Sequence, residues 1–354
     1  MSASTGDPPD PLLRTAKGPL VLLFYDGYEL RAAPGVFGEA YSKAHGLARY
    51  AYRTLRRRQV HTGFYAAFLG LKRSLEAVGC DVRVNDFARA RAKPDYPVGI
   101  AGYPSVIDKV RLPNPTIFGP GDFGTLEDSR ALAEDRRFRY LIQPSQWFRD
   151  YYAPYAGEEK MVVWFAGIDT KAWPDWSREP KTIDVLVYDK IRWRREARVA
   201  DTLDPLLAHL RAGGRSYAIV RYGHHHHSEF MAKLKRARSL AFICEHETQG
   251  LAYQEAMSAN VPIFAWDQGE LVDPSIPPPP SGVTVSSVPY FDARCGVKFK
   301  REALVSGFDE FWERLATFRP RDYVLDTLSL QRSGALYLEL YRKALGPASG
   351  PVTP

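Results

Sequence analysis

The sequence predicts an α/β fold made of two doubly wound domains. Its 354 residues exceed what one ordinary hydrophobic core holds, which favours two domains. Short apolar runs recur along the chain with segments of helical composition between them, a pattern typical of parallel βαβ units. The composition, 45% hydrophobic and 25% charged, is that of a globular protein.

The first predicted domain covers residues 19–170. Residues 1–18 are rich in proline and small polar residues, and we expect them to form a disordered leader. Pro19–Tyr25 is the first predicted strand, and the loop Asp26–Gly38 after it lacks the G-x-G-x-x-G pattern of a dinucleotide site. Further strands are predicted at Asp81–Asn85, Pro97–Ala101, Thr116–Phe118, Arg139–Ile142 and Met161–Phe165.

The segment from Ala40 to Leu75 contains eight basic residues, six Tyr or Phe residues and no acidic residue. Aromatic and basic side chains both suit lipid headgroups, so this segment could dock on an anionic membrane. It could instead bind an acidic acceptor, or form two ordinary helices with a solvated basic face. No RNA- or DNA-binding motif accompanies it, so we expect no nucleic-acid partner.

The second predicted domain covers residues 171–321. Lys171–Lys181 has the proline and charge content of a linker, and Thr182–Tyr188 is the opening strand. A final strand is predicted at Val283–Val288. The run His224–His227 is interpreted as a polar loop, because adjacent imidazoles cannot all face one ion.

The central unit of the second domain, Ser239–Asp267, reads as strand, loop, helix and strand. Its loop should lie at the carboxyl edge of a parallel sheet, where ligands usually bind. The free amides of Gln249, Gly250 and Leu251 would attract an anion such as phosphate. Two carboxylates on either side of these amides, Glu247 and Glu255, suit a nucleotide sugar. Alternatively, Glu247 is a helix cap and Glu255 lies on a solvated face.

The stretch from Glu247 to Pro262, ETQGLAYQEAMSANVP, resembles the E-x7-E signature of retaining glycosyltransferases with the GT-B fold. It looks most like glycosyltransferase family 4, whose pattern runs E-[ST]-x-G-L-x-x-x-E-A-[ML]-x-x-x-x-P. The match covers sixteen positions with the spacing intact. The pairing of Pro144-Ser145-Gln146-Trp147 with a later Gly167-Ile168-Asp169 also resembles this family.

The resemblance implies roles for particular residues. Glu247 would contact the hydroxyls of the donor sugar, and Glu255 the ribose. Family members carry G-R-[LM]-x-x-x-K after the strand that opens the second domain, and their Arg and Lys hold the donor diphosphate. Here Lys190 and Arg195 have the same spacing with the residue types exchanged, and Asp189 replaces the Gly. This departure leaves a role for Arg192 or Arg194 open.

The GT-B resemblance also predicts how the two domains meet. Two Rossmann-like domains would face a cleft, with the acceptor on the side of residues 19–170 and the donor on the side of residues 171–321. The loop that carries Gly27 would line the cleft, as would Tyr103. A closing helix, within residues 322–346, would cross back onto the first domain.

The predicted function is transfer of a hexose from a nucleotide diphosphate donor to a glycan, lipid-linked or small-molecule acceptor, with retention at the anomeric carbon. The nucleotide sugar is a substrate, so no cofactor is expected, and no metal is expected either. A sugar-nucleotide epimerase and a non-catalytic nucleotide-sugar or glycan-binding module remain alternatives. A net charge of +7 favours acidic partners. Three cysteines without metal spacing indicate a reducing cytosol, and peripheral contact with the inner face of the membrane is an open expectation.

Overall fold

The computed structural model describes residues 11–55 and 62–346. These residues form two parallel sheets that follow one another along the chain. The first domain contains the strands β1 (Arg14–Thr15), β2 (Gly18–Asp26), β3 (Asp81–Val84), β4 (Val98–Gly102), β5 (Thr116–Gly121), β6 (Phe138–Gln143) and β7 (Met161–Val163). Its helices are α1 (Val36–Leu55), α2 (Gly63–Ala77), α3 (Phe87–Ala92), α4 (Ser105–Lys109), α5 (Leu126–Glu134) and α6 (Gln146–Ala156).

The second domain contains a five-stranded sheet. Its strands are β8 (Ile183–Lys190), β9 (Tyr217–Arg221), β10 (Ala237–Cys244), β11 (Ile263–Trp266) and β12 (Gly296–Phe299). Its helices are α7 (Arg195–Arg198), α8 (Asp204–Ala212), α9 (His227–Lys235), α10 (Leu251–Ser258) and α11 (Leu304–Glu313). The chain ends with α12 (Pro320–Tyr323) and α13 (Leu330–Ala344).

Both sheets have the crossed strand order of doubly wound folds. The first sheet runs β1-β2-β4-β5-β6-β7 with β3 beside β2, and all its pairs are parallel except β1 with β2. The second sheet runs β12-β11-β10-β8-β9 and is parallel throughout. Apolar side chains on β8 alternate between two core clusters, which lie on the two faces of this sheet. Loops at the carboxyl ends of both sheets are therefore the places to look for a site.

Two stretches of chain connect the domains and lie side by side. Ile168 forms an isolated parallel bridge with Ser329, and its backbone N–H donates to the carbonyl of Leu328. Past this crossing, α13 packs against α2, and Tyr337 and Tyr341 are fully buried in the first core. The predicted closing helix thus does return to the first domain, but it begins at Leu330.

Residues 320–328 belong with the second domain rather than with the closing helix. The residues Tyr323, Val324 and Leu328 lie in the core on one face of the second sheet. Arg321 donates to the carbonyls of Thr170 and Trp173, which fixes α12 beside the first connection. A boundary at residue 322 is therefore too early for the closing helix.

The segment Lys171–Lys181 is packed against the second domain. Trp173 and Trp176 are 4% and 7% exposed, and both belong to the core of the second sheet. Burying two indoles stabilises this segment by several kcal/mol, at about 2 kcal/mol each or more. The proline and charge content that suggests a flexible linker was outweighed by the two tryptophans.

Two further sequence predictions are wrong in part. Disorder is wrong for Arg14–Gly18, because β1 pairs with the start of β2 and Leu12 is buried beside it; residues 1–10 lie outside the described residues. The segment Val283–Val288 is not a strand: the Ser286 hydroxyl and the Ser287 N–H both donate to the Asp267 side chain. β12 takes the place beside β11.

The basic and aromatic segment 40–75 forms most of α1 and α2, with residues 56–61 outside the described part of the chain. α2 turns Phe68 into the first core. α1 packs through one face only, where the Ser42 hydroxyl accepts from the Arg31 N–H and Arg49 pairs with Glu29 at 3.2 Å. Its opposite side carries large exposed apolar residues: Phe37, Tyr41, Leu47, Tyr50 and Tyr52. No helix in the described ranges is long and apolar enough to cross a bilayer.

Candidate active site

The candidate site begins where β8 and β10 end. These strands are parallel neighbours, and their register places Lys190 opposite Cys244. The polar triplet Glu245–Glu247 follows β10 directly, so it lies at the same edge as Lys190. Carboxyl ends of parallel strands converge at one sheet edge, which is why residues 57 positions apart meet here.

Lys190 and Glu247 form a buried ion pair. The Lys190 ammonium donates to the Glu247 carboxylate, and the two side chains are 13% and 9% exposed. Burial acts to lower the pKa of Lys190, but the Glu247 carboxylate holds it above its ordinary value. The ammonium also lies 4.3 Å from the centre of the Tyr222 ring. Removing one partner of such a pair typically costs about 3–5 kcal/mol.

The backbone of Glu247 ties the two domains together. Its N–H donates to the carbonyl of Ser286 at 3.0 Å, and its carbonyl accepts from the indole of Trp147 at 2.9 Å. Trp147 is in the first turn of α6 in the first domain, while the carboxyl end of β10 belongs to the second. The side chain of Glu247 is thus held at the domain junction.

Arg195 lies apart from Lys190. Its guanidinium makes a two-pronged contact with Asp189, at 2.9 and 2.5 Å, and donates to the carbonyl of Ile191. Asp189 and Lys190 are consecutive on β8, so their side chains point to opposite faces of the sheet. The structure does not bring Lys190 and Arg195 together as one diphosphate-binding pair, and a donor role for Arg195 stays a prediction.

The loop after β8 folds over the triplet. The Glu245 carboxylate accepts the backbone N–H groups of Arg192 and Trp193, each at 3.1 Å. The Arg192 guanidinium donates to the carbonyl of His246 at 2.8 Å and lies 4.0 Å above the Trp193 ring. The predicted donor residue Arg192 is therefore at this edge, with its guanidinium exposed at the surface.

The three predicted amide donors lie at the start of α10. Gly250 has φ +83, and a Cβ there would meet the Tyr253 ring at 2.3 Å, so only glycine fits. Within the described part of the chain, no side chain caps this helix start. Gln249 also joins the two domains, because its side-chain amide bonds to both the N–H and the carbonyl of Ala166 in the connection between them. Leu251 packs against both domain cores.

Glu255 is partly buried in the second domain. Loss of hydration raises its pKa to about 8, and the indole of Trp173, which hydrogen-bonds to the carboxyl group, acts in the opposite direction. Burial raises the pKa of Tyr188, and Glu247 and Glu255 raise it further, so both carboxylates lie near this one hydroxyl. Glu247 is therefore not a helix cap, and Glu255 does not lie on a solvated face.

Gly27 and Tyr103 lie at the carboxyl edge of the first sheet, after the neighbouring strands β2 and β4. A Cβ at Gly27 would collide with the Tyr25 ring, so glycine is required there. Tyr103 makes edge-to-face contacts with Tyr28 and Phe64, at 5.7 and 5.1 Å. Of the two predicted first-domain cleft residues, Tyr103 therefore belongs to an aromatic cluster with Tyr28 and Phe64, and Gly27 directly precedes Tyr28.

Sequence reasoning missed several residues of this region. Trp193 and His246 stack in parallel, and Trp147 packs edge-on against the same imidazole. The predicted polar histidine loop also contributes: His225 lies against Tyr188. The sequence offered one signal for these residues: Trp147 belongs to the segment Pro144-Ser145-Gln146-Trp147, which resembles the glycosyltransferase family. Among the described residues, no group of three or more His, Cys, Asp or Glu side chains could hold a metal ion.

No protein-family model and no curated protein matches the sequence. Among solved structures, the chain is similar to sucrose-phosphate synthase from Thermosynechococcus elongatus, with a TM-score of 0.51 and 11% identity over 92% of this chain and 98% of that one. The likeness spans nearly all of both chains and confirms the predicted fold class. The chain has a GT-B fold.

Two other GT-B proteins resemble it more loosely. TarM of S. aureus, solved in complex with UDP, is 11% identical over 70% of this chain and 56% of that one, with a TM-score of 0.49. The lipopolysaccharide outer core galactosyltransferase WaaB is 11% identical over 92% of this chain and 99% of that one, with a TM-score of 0.46. In the GT-B fold the two Rossmann-like domains face a cleft. Ligands of doubly wound sheets bind at the carboxyl edges, which here carry Glu247 in the second domain and Tyr103 in the first.

Proposed function

We propose that this protein transfers a hexose from a nucleotide diphosphate donor to an acceptor, with retention at the anomeric carbon and without a metal ion. One observation carries the proposal: at the cleft edge of the second sheet, the buried pair Lys190–Glu247 lies beside the uncapped start of α10 at Gly250. A carboxylate, an ammonium and free helix amides at one point suit sugar hydroxyls next to a diphosphate.

In this mechanism the protein supplies positioning and charge. The bond between the anomeric carbon and the diphosphate breaks, and the acceptor oxygen bonds to the same face of the sugar. The acceptor proton passes to the leaving phosphate. Lys190 stabilises the negative charge that develops there, and Glu247 orients the sugar hydroxyls. Glu255, protonated near neutral pH, binds the ribose.

The acceptor is proposed to bind on the first-domain side, at the aromatic cluster of Tyr28, Phe64 and Tyr103. Tyr28 is 53% exposed, so this cluster has uncovered ring surface. Aromatic rings pack well against the apolar faces of sugars and lipids. A glycan, a lipid-linked sugar or a small molecule would fit this chemistry.

A membrane surface is the proposed setting of the reaction, on its cytoplasmic face. α1 supports this proposal because Phe37, Leu47 and Tyr41 are 93%, 72% and 62% exposed. The residues from 40 to 75 add eight positive charges and no negative one, which complements anionic lipids. All three cysteines are buried, which suits thiols in a reducing cytosol.

A panel of UDP-, GDP- and ADP-sugars tests the proposed function. Binding is screened by thermal shift, and release of nucleoside diphosphate is then measured with and without candidate acceptors. Transfer with an unchanged anomeric configuration, seen by NMR of the product and unaffected by a chelator, is the expected result. Epimerisation of the donor, binding without turnover, or inhibition by the chelator would overturn the proposed reaction.

A further inference from the structure

His246 lies between the two domains with one ring nitrogen unused. Its side chain is 5% exposed. The ring stacks on Trp193 of the second domain at a centroid distance of 4.7 Å, and Trp147 of the first domain packs edge-on at 6.1 Å. Across the described residues, no hydrogen-bond partner reaches its buried Nε2. Buried polar atoms are nearly always hydrogen-bonded, so this nitrogen needs an explanation.

The acidic neighbours of His246 in the triplet are already engaged. Glu245 accepts two backbone N–H groups of the loop after β8, and Glu247 accepts from Lys190. The backbone carbonyl of His246 accepts from Arg192. Within this triplet, the imidazole Nε2 is a buried side-chain atom that has no hydrogen-bond partner among the described residues.

Burial, supported by Arg192, keeps the ring of His246 neutral by lowering its pKa. Burial and the nearby Arg192 lower its pKa to about 4, with a smaller contribution from Lys190, while Glu247 and Asp273 act in the opposite direction. A neutral imidazole can donate or accept one hydrogen bond at Nε2, depending on its tautomer. It can thus bind an oxygen without adding another positive charge beside Lys190.

We infer that His246 is a ligand-binding residue, whose Nε2 hydrogen-bonds to a phosphate or hydroxyl oxygen of the donor bound in the cleft. It is the residue before Glu247 on the same loop, so a donor held by Glu247 comes within its reach. The identification of the ligand as a nucleotide sugar rests on the proposed function. The observation that Nε2 has no hydrogen-bond partner among the described residues is independent of the proposed function.

Access to Nε2 requires the Trp193 ring to move. This ring stacks on His246 and lies under the Arg192 guanidinium, and the backbone N–H of Trp193 donates to the Glu245 carboxylate. The next residue, Arg194, has φ +46, a conformation that non-glycine residues rarely adopt. The loop over His246 is thus a short surface turn with one strained residue, and the inference requires this turn to shift when the donor binds.

The inference predicts opposite changes in stability and affinity for one substitution. His246→Phe keeps an aromatic ring against Trp193 but removes the unpaired nitrogen, so the variant should unfold at the same temperature or higher. The same variant should bind the donor about tenfold more weakly, because one hydrogen bond is lost. A histidine with only a structural role would show the reverse: a lower unfolding temperature and unchanged affinity.

The experiment is calorimetric titration of the wild type, His246→Phe and His246→Gln. Each is titrated with the nucleotide sugar that binds best in the panel and with its nucleoside diphosphate alone. His246→Gln should recover part of the affinity, since its amide can reach the position of Nε2. His209→Phe is a matched control, because His209 pairs with Asp309 on the helical face of the second domain.

The outcomes separate this inference from the proposed function. Equal weakening for both ligands assigns Nε2 to the nucleoside diphosphate part of the donor, and weakening for the nucleotide sugar alone assigns it to the sugar; either supports the inference. Unchanged affinity of His246→Phe for a donor that the wild type binds overturns the inference and leaves the proposed function standing. If the wild type binds no nucleotide sugar, both are overturned.

Discussion

The two sheet edges that face the cleft are built from different chemistry. At the edge of the second sheet the charges are already paired: Lys190 with Glu247, both largely buried, and the buried Asp189 with the partly exposed Arg195. At the edge of the first sheet aromatic rings meet edge to face, and the outermost, Tyr28, is 53% exposed. The neighbouring helix α1 exposes most of its apolar side chains to solvent.

This difference suggests what each side contributes to catalysis. A buried, pre-paired charge keeps its geometry without a ligand, which suits a donor whose diphosphate and ribose never change. An exposed aromatic surface has little built-in geometry of its own, and it needs a partner to cover it. Substitutions on the donor side should therefore affect the chemical step most, and those on the acceptor side should affect association.

The largest effect is expected at Glu247. Glu247→Ala should lower kcat by about a thousandfold, as expected for an essential electrostatic contact to the reacting group. It leaves the Lys190 ammonium unpaired, so the unfolding temperature should also fall, by an amount that corresponds to about 3 kcal/mol. Steady-state kinetics and thermal unfolding measure the two effects. Glu196→Ala, an exposed glutamate on α7, is the control, and near-normal turnover of Glu247→Ala would remove the site assignment.

The next effect compares the two cations after β8. Lys190→Ala should lower kcat by about a hundredfold, because Lys190 lies at the cleft edge beside Glu247. Arg195→Ala should lower it by tenfold or less, because its guanidinium is held by Asp189 on the opposite face of the strand. Kinetics of both single variants and of the double variant decide the matter. If Arg195→Ala is the more damaged, Asp189 must release Arg195 when the donor binds.

The donor side was the more predictable from sequence, for a physical reason. The spacing of Glu247, Gly250 and Glu255 depends on one loop and one helix turn, and local geometry of this kind is readable from a single segment. The pairing of Lys190 with Glu247 joins the end of β8 to the loop after β10, and the sequence contains no sign of the register of these two strands. Strand alternation places Asp189 on the face opposite Lys190, where it contacts Arg195. The sequence does not predict this contact, because the resemblance to a two-cation motif groups Arg195 with Lys190.

The prediction of strands succeeded where apolar runs were long. It failed where tertiary packing outweighed the local composition. β2, β8 and β10 are continuous apolar runs and lie close to where the sequence predicts them. β12 has only four residues, and one of them is Lys298. The sequence therefore predicts the final strand at Val283–Val288, where the apolar pattern is longer. Trp173 and Trp176 pack in the second core, and His246 stacks on Trp193. These partners are far away in sequence, so no local pattern predicts the contacts.

On the acceptor side, the exposed face of α1 is the part to test. Replacing Phe37 and Tyr41 together by Ser should lower binding to anionic vesicles by about tenfold, because two large apolar side chains no longer enter the headgroup region. Binding of the wild type should also weaken as salt rises. Flotation with vesicles measures both, and Val305→Ser, a half-exposed apolar residue of α11, is the control. Equal binding of the wild type to neutral and anionic vesicles would contradict the membrane proposal.

The smallest effect on activity is expected at Glu255, and it depends on pH. Its pKa of about 8 in the folded protein lies above the ordinary value of 4.5, because burial disfavours the charged form. The folded protein therefore holds a proton that the unfolded chain releases between these two pH values. The free energy of unfolding therefore falls as the pH rises from about 4.5 to about 8. Above that range the contribution of Glu255 stays constant.

The Glu255→Gln variant replaces the protonated carboxyl group by a neutral amide of the same shape. At pH 6.5 its donor affinity should stay within about threefold of the wild type, since both side chains are neutral and both can accept from the Trp173 indole. At pH 9 the wild type carries a buried charge and the variant does not, so the variant should unfold at the higher temperature, by an amount that corresponds to roughly 1–3 kcal/mol. Thermal unfolding and donor titration from pH 5 to pH 9 measure both trends. A gap in unfolding temperature that does not widen with pH would show that Glu255 is ionised throughout, and a tenfold loss of affinity at pH 6.5 would show that the donor needs its charge.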